Sequence, residues 1–213
     1  QVANWNESRS EGARAESIKA RLALEFIDME SNVARHVRNV TDYRDLANGL
    51  AEDLLAGAVD LNSPEFADRT MAIGWHAPNG GSNTVMELIN QGDMDLLGSP
   101  DLVELLLEFQ STSVRHFTAS STLFGEADQS TKAVRDVSIL AAIPPERRSE
   151  DFTASLVERA SPPDAYVHLV NMSIYLEIDL DWHVRTLDLA CGILRELGEP
   201  CKASDALAEQ AKP

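Results

Sequence analysis

The residues best equipped for chemistry in the last third of the chain are Glu177, Asp181 and His183, with His168 further upstream. Glu177 and Asp181 are four residues apart, a spacing that places both side chains on the same face of an α-helix. Carboxylate and imidazole groups that project from facing helices are typical ligands in helical bundles. These four residues therefore form one candidate ligand-binding site, although a solvated polar stripe on an amphipathic helix explains the same pattern.

A second candidate lies in the segment 74–83, which is rich in Gly and Pro and contains Trp75 and His76. An aromatic and a titratable side chain on a loop often contact a ligand, because loops carry much of the function of a fold. A large aromatic side chain also serves packing, and Trp75 would then cover the end of a bundle. Both interpretations stay open.

No signature of catalysis or metal binding accompanies these candidates. The chain lacks a His-Glu-x-x-His pair, a repeated Glu-x-x-His, an EF-hand loop, a Gly-rich phosphate loop and a Gly-x-Ser-x-Gly turn. His36 and His116 have no identifiable acid or nucleophile partner. The sequence therefore predicts no catalytic residue, no metal and no cofactor. A non-enzymatic role is favoured over an enzyme with a metal or acid-base site inside the bundle.

The two cysteines, Cys191 and Cys201, lack the spacing of a metal knuckle or of a Cys-x-x-Cys redox motif. In an oxidising compartment they could pair across the turn at 198–200. Spacing alone does not fix the Cα separation that a disulfide needs, so a disulfide and two free thiols are both open.

Length, hydrophobic fraction and net charge limit the classes of protein to which this chain can belong. The chain has 213 residues, of which 44% are hydrophobic, and this is enough to bury a substantial core. Its formal net charge of −17 argues against nucleic acid, since phosphate binding requires clustered Lys and Arg. The acidity also favours a soluble surface that keeps away from anionic lipid.

Apolar residues recur along the first quarter of the chain with a mean step of about 3.6, the period of an α-helix. This stripe consists of Ile18, Leu22, Phe26, Met29, Val33, Val37, Val40, Tyr43, Ala47, Leu50 and Leu54. It predicts a long helix that buries one face, and Leu22, Phe26 and Met29 are also candidates for a homodimer interface. The fold class predicted is all-α: a helical bundle with long first and last helices, shorter helices and the Gly/Pro-rich loop.

Turn formers divide the remainder into further predicted helices. Ser63-Pro64 begins a short helix to about residue 73, and Ser82 or Asn83 begins one that ends at Gln91 before Gly92. Two more are predicted from Ser99-Pro100 to about residue 124 and from about 127 to 143. The last long helix follows Ser161-Pro162-Pro163, and its two adjoining apolar stripes indicate packing on two sides. Residues 176–184 alternate strictly, as in a strand, but the length and the periodic flanks favour helix.

The first residues, Gln1-Val2-Ala3-Asn4-Trp5-Asn6-Glu7, have the character of a segment that leaves a membrane. Trp5 combines an apolar ring with an N–H group that needs a hydrogen-bond acceptor such as water. Such a side chain favours the membrane-water interface. No stretch of the chain reaches the roughly 18 to 20 apolar residues that span a bilayer. We therefore expect the membrane anchor to precede residue 1.

These residues resemble the end of the single membrane span in a widespread family of uncharacterised bacterial proteins whose shared motif is Asn-Trp-Asn-Glu. A second segment is similar to that family, namely 84–97 followed by Ser99-Pro100-Asp101-Leu102. The resemblance implies a bacterial inner-membrane protein whose helical domain faces the periplasm, and it implies no catalytic residue.

From these observations we expect a membrane-proximal helical segment at 1–17 and a single α-helical extracytoplasmic domain at 18–213. The expected function is binding of an unidentified protein or small molecule, or a structural role in the cell envelope.

Overall fold

The structure is a computed structural model that describes residues 2–59, 63–74, 81–141, 143, 147, 149 and 162–203. Its helices are α1 (Val2–Leu55), α2 (Pro64–Met71), α3 (Asn83–Gln91), a short 3-10 helix (Met94–Leu97), α4 (Pro100–Ala141) and α5 (Pro162–Glu196). No strand occurs among these described residues. The predicted all-α helical bundle is confirmed, and the alternating segment 176–184 is part of α5.

Several helix ends lie where the turn formers predicted them. The hydroxyl oxygens of Ser63 and Ser82 accept the backbone N–H groups of Phe66 and Val85, so both serines are N-caps. Gly92 follows α3 with φ 71°, a left-handed conformation that costs glycine little.

The predicted break between two helices near residue 125 is wrong. The helix α4 runs without interruption from Pro100 to Ala141 and includes Gly125. A glycine inside a helix costs about 1 kcal/mol relative to Ala, but it retains its backbone N–H and therefore does not end the helix.

The chain forms two compact units. Unit 1 comprises Gln1–His36, Pro78–Thr118 and Trp182–Pro213, and unit 2 comprises Val37–Ala77 and Ala119–Asp181. The predicted division at residue 17 lies inside α1, which has no break there. That the region 18–213 is a single domain stays a prediction.

The core of unit 1 is aliphatic and aromatic. Phe26 of α1 and Phe109 of α4 make an edge-to-face contact with ring centroids 4.9 Å apart. Its other buried members include Leu22, Met29, Val33, Val85, Leu88, Leu97, Leu102, Leu106, Leu187, Ile193 and Leu194. Leu22, Phe26 and Met29 are thus buried within the chain's own core, and a homodimer stays a prediction.

The core of unit 2 continues the predicted stripe of α1. Its buried apolar residues are Val37, Val40, Ala47, Leu50, Leu54, Phe66, Leu169, Met172, Leu176 and Leu180. Val167, Ile174 and Ile178 belong to the second of the two apolar stripes predicted for α5, and they are exposed.

Candidate functional site

The candidate residues on α5 differ in their surroundings. His183 is only 2% exposed, whereas Glu177 and Asp181 are exposed. Glu177 accepts a hydrogen bond from Arg44, with Arg44 Nη1 and Glu177 Oε2 2.7 Å apart. The hydrogen bond to Glu177 is the main reason that the pKa of the Arg44 guanidinium is raised, and the hydrogen bond to Asp45 is the second. The predicted grouping of Glu177 and Asp181 with His183 is therefore not found, since the carboxylates and the imidazole occupy different faces of α5.

The remaining sequence candidates do not converge on this site. His168 is half-buried in unit 2, and its Nδ1 makes no hydrogen bond with any described residue. Trp75 and His76 lie outside the described residues. For Trp5 the structure describes only the backbone, which is part of α1.

His183 instead belongs to a cluster of three histidines in unit 1. His36 comes from α1, His116 from α4 and His183 from α5. The ring centroids of His36 and His183 are 5.5 Å apart, and those of His116 and His183 are 4.6 Å apart. His116 is only 2% exposed, as is His183, while His36 is half-buried. The imidazoles of α1 and α4 therefore both lie beside that of His183 on α5.

The spacing of His116 and His183 suits a shared metal ion better than that of His36 and His183. Two ring nitrogens bound to one ion at about 2.0 to 2.1 Å lie at most about 4 Å apart. The ring centroids of His116 and His183 are the closer of the two pairs. One ring nitrogen of His116 also lies within 4.8 Å of one of His183.

The cavity at this cluster is very small. Its volume is about 10 Å³, and it is lined by Met29, Val33, His36, Phe109, Ser113, His116, His183 and Thr186. A volume of this size holds one ion or one water molecule and no organic ligand.

Ser113 supplies a further polar group at the cavity. Its side chain is 2% exposed, and its Oγ makes no hydrogen bond with any described residue. A buried hydroxyl without a partner costs about 1 to 3 kcal/mol, so such groups are rare in native proteins. Ser113 lines the same small cavity as the three histidines.

Trp182 links the cluster to a spectroscopic signal. Its indole stacks on the ring of His116, with centroids 5.8 Å apart and planes 11° from parallel. A change in the charge or ligation of His116 therefore acts directly on this tryptophan.

Unit 2 has a buried polar pair of its own. Asp179 is fully buried, and its Oδ1 accepts a hydrogen bond of 2.9 Å from Ser120 Oγ. Removing one partner of a buried hydrogen bond costs about 1 to 3 kcal/mol, so this pair contributes to the stability of the unit.

Sequence reasoning missed His36 and His116, but a signal was present. Each of the three histidines lies on the same helix face as a row of buried apolar residues. His36 follows Val33 by three residues, and His116 follows Phe109 by seven. On each of three long helices, a histidine takes a place where the apolar pattern predicts a buried residue. Polar residues at such positions are unusual, and they were the signal for this cluster.

A wider groove in unit 1 has room for an organic molecule. Its volume is about 670 Å³, within the range of small-molecule sites. The carboxylates of Asp95, Glu104 and Glu108 line it together with the apolar Val103 and Leu107. One of these carboxylates, that of Glu108, pairs with Arg185 at 2.9 Å, and binding of a small molecule stays a prediction.

The structure joins Cys191 and Cys201 in a disulfide, with Cα atoms 5.1 Å apart. Gly198, with φ 81°, ends α5 in a Schellman turn. The Glu199 N–H bonds the Leu194 carbonyl and the Gly198 N–H bonds the Arg195 carbonyl. This turn reverses the chain and brings Cys201 back to α5.

Among the described residues, no helix combines the length and the apolar composition needed to cross a membrane. Comparison of the chain with protein-family models, with curated proteins and with solved structures gives no significant match.

Proposed function

We propose that this chain is a helical domain that binds one divalent transition-metal ion through His116 and His183, with His36 beside them. The observation that carries the proposal is the convergence of His116 and His183, both buried, on a cavity of about 10 Å³ beside the Ser113 hydroxyl. Imidazole nitrogens are ligands for zinc, copper, nickel and cobalt ions, whereas magnesium and calcium ions prefer oxygen.

The electrostatics of the chain favour a cation. The net charge of −17 raises the local concentration of cations around the protein. Imidazole ligands add no negative charge to offset that of the ion, so this acidic surrounding contributes to its binding.

The small, buried cavity supports a non-enzymatic role. A catalytic metal keeps an open position that substrate can reach. Here His116 and His183 are almost fully buried, and the cavity has no room for a substrate next to an ion. The ion would instead join α4 and α5 and stabilise unit 1, which suits a structural or metal-dependent binding domain.

The location is part of the proposal. The Asn-Trp-Asn-Glu segment and its resemblance to the end of a membrane span support a domain tethered to the bacterial inner membrane and facing the periplasm. An enzyme reporter that works only in the periplasm, fused after residue 213 of the full-length protein, should be active. Activity only from a cytoplasmic reporter would overturn this placement.

Zinc binding to purified, chelator-treated protein tests the metal site. An ion at 100 times its Kd stabilises the folded state by about 2.7 kcal/mol, which corresponds to a rise in Tm of about 5 to 10 °C for a chain of this size. We expect this rise, with one zinc ion per chain by calorimetry.

Matched histidine variants make the test specific. His116→Gln and His183→Gln should each remove most of the rise in Tm. His168→Gln, which removes a histidine from unit 2, should retain it. The proposal is wrong if the wild-type protein binds no zinc, or if all three variants respond to zinc alike.

A further inference from the structure

A second group of side chains that could hold a metal ion lies in unit 1. It consists of one buried carboxylate and the two cysteines of the disulfide. Glu30 of α1 is 3% exposed, Cys191 of α5 is 1% exposed, and Cys201 is half-buried. One ligand atom from each of the three lies within 4.8 Å of the others. Glu30 Oε1 is 3.4 Å from Cys201 Sγ and also accepts the backbone N–H of Ala203.

The carboxylate of Glu30 makes no ion pair with a described residue. A carboxylate so deeply buried is costly unless hydrogen bonds or a nearby cation offset the loss of water. The Ala203 N–H supplies one hydrogen bond. A divalent cation beside Oε1 would supply the missing positive charge.

The disulfide determines whether the sulfur atoms can act as ligands. In the oxidised protein the two Sγ atoms bond each other. In the reduced protein they become two thiolates beside a carboxylate. Two thiolates and one carboxylate form a ligand set for zinc or cadmium ions, which prefer sulfur.

We propose that reduction of the Cys191–Cys201 disulfide converts this cluster into a divalent metal site with Glu30, Cys191 and Cys201 as ligands. The redox state of the pair then selects between a covalent link and a bound ion at the end of α5. Either one holds the segment after Gly198 against Glu30 of α1.

The redox step balances with an external dithiol as reductant. A thiolate of the dithiol attacks Cys201 Sγ, the more accessible sulfur, and Cys191 leaves as a thiolate that takes up a proton. The second thiol of the reductant then displaces Cys201 and closes the reductant's own disulfide. Metal binding afterwards releases both cysteine protons to solvent.

Cadmium titration of the phosphine-reduced protein under anaerobic conditions tests this proposal. Thiolate-to-cadmium charge transfer gives a near-ultraviolet absorption that depends on sulfur ligands and not on the histidine cluster. We expect this absorption to saturate at one cadmium ion per chain in the reduced protein, and to be absent from the oxidised protein.

Two variants distinguish a built site from simple thiol binding. Glu30→Gln should weaken cadmium binding by roughly tenfold or more, while the absorption at saturation remains. A Cys191→Ser, Cys201→Ser double variant should show no such absorption but should keep the zinc-dependent rise in Tm.

Three results would overturn the proposal: no absorption in the reduced protein, equal affinity in Glu30→Gln, or loss of helical circular dichroism on reduction. The last result counts against it because the site requires a folded reduced state. None of these results bears on the histidine cluster, which is tested separately by zinc.

Discussion

The imidazole rings of His116 and His183 lie 4.6 Å apart and are 81° from parallel. Because the two rings are nearly perpendicular, they do not stack face to face. One ring nitrogen of His116 lies within 4.8 Å of one ring nitrogen of His183. Two buried imidazoles in this relation can share one ion between α4 and α5. This pair is therefore the centre of the proposed metal site.

Zinc binding should weaken as the pH falls. Metal ions and protons compete for the same imidazole nitrogens, so affinity that depends on histidine falls in acid. We expect the zinc-dependent rise in Tm at about pH 7.5 to shrink strongly at about pH 5.5. The His168→Gln protein should follow the same profile. A rise in Tm that is independent of pH over this range would point to carboxylate ligands and away from the cluster.

Ser113 and Ser120 offer a matched pair on α4, since both are buried serines. Ser113→Ala removes a hydroxyl that has no partner among the described residues, so the metal-free protein should be equally stable or more stable by about 1 kcal/mol. Its zinc affinity should fall by about tenfold, as it does when a polar group beside the ligands of a metal site is removed.

Ser120→Ala removes the hydrogen bond to Asp179, and the free energy of unfolding should fall by about 2 kcal/mol. Urea unfolding of the metal-free proteins measures both effects. An equal loss of stability in the two variants would contradict the role given to Ser113.

The apolar periodicity of the sequence predicted the long first and last helices. The stripe from Leu22 to Leu54 is buried apart from the half-buried Tyr43, because a 3.6-residue step aligns side chains on one face. The interruption predicted near Gly125 was wrong because a glycine only weakens a helix, whereas proline removes a backbone donor.

The candidate site was much less accessible to sequence reasoning. His183 was identified, but it was grouped with Glu177, a neighbour along α5 that is exposed and bonded to Arg44. Its observed neighbours, His36 and His116, come from other helices, and their proximity depends on how the helices pack. Periodicity places a residue on a face of one helix, and it does not determine which residue of another helix lies opposite.

Trp182 should report metal binding by fluorescence. Its indole stacks on His116, and copper(II) ions quench nearby indoles. We expect one equivalent of copper(II) to reduce the fluorescence of the wild-type protein and of a Trp5→Phe, Trp75→Phe double variant. Trp182→Phe should lose most of this response. Equal quenching in the Trp182→Phe protein would place the copper near another tryptophan.

The ion pair of Arg44 and Glu177 should contribute little to stability. Glu177 is more than half exposed, and exposed ion pairs contribute about 0.5 kcal/mol or less. The raised pKa of Arg44 means that its contribution is fully present below the ordinary arginine pKa and is lost only at still higher pH. Glu177→Gln should therefore destabilise the protein slightly and by a constant amount from about pH 6 to about pH 9. A loss above about 2 kcal/mol, or one that varies over this range, would contradict an exposed pair.

The contact between Phe26 and Phe109 should be the most sensitive point in the core of unit 1. Phe26→Ala removes a fully buried ring that packs edge to face on Phe109, and a cavity of this kind costs about 4 kcal/mol. Leu24→Ala is the matched control, because Leu24 lies on the same helix but is 69% exposed, and its loss should stay within about 0.5 kcal/mol. Urea unfolding of the two metal-free proteins measures the difference. Equal losses would mean that residues 22–29 of α1 do not pack into this core.

Phe109 also lines the cavity of the histidine cluster, so Phe26→Ala should in addition weaken zinc binding, while Leu24→Ala should leave it unchanged.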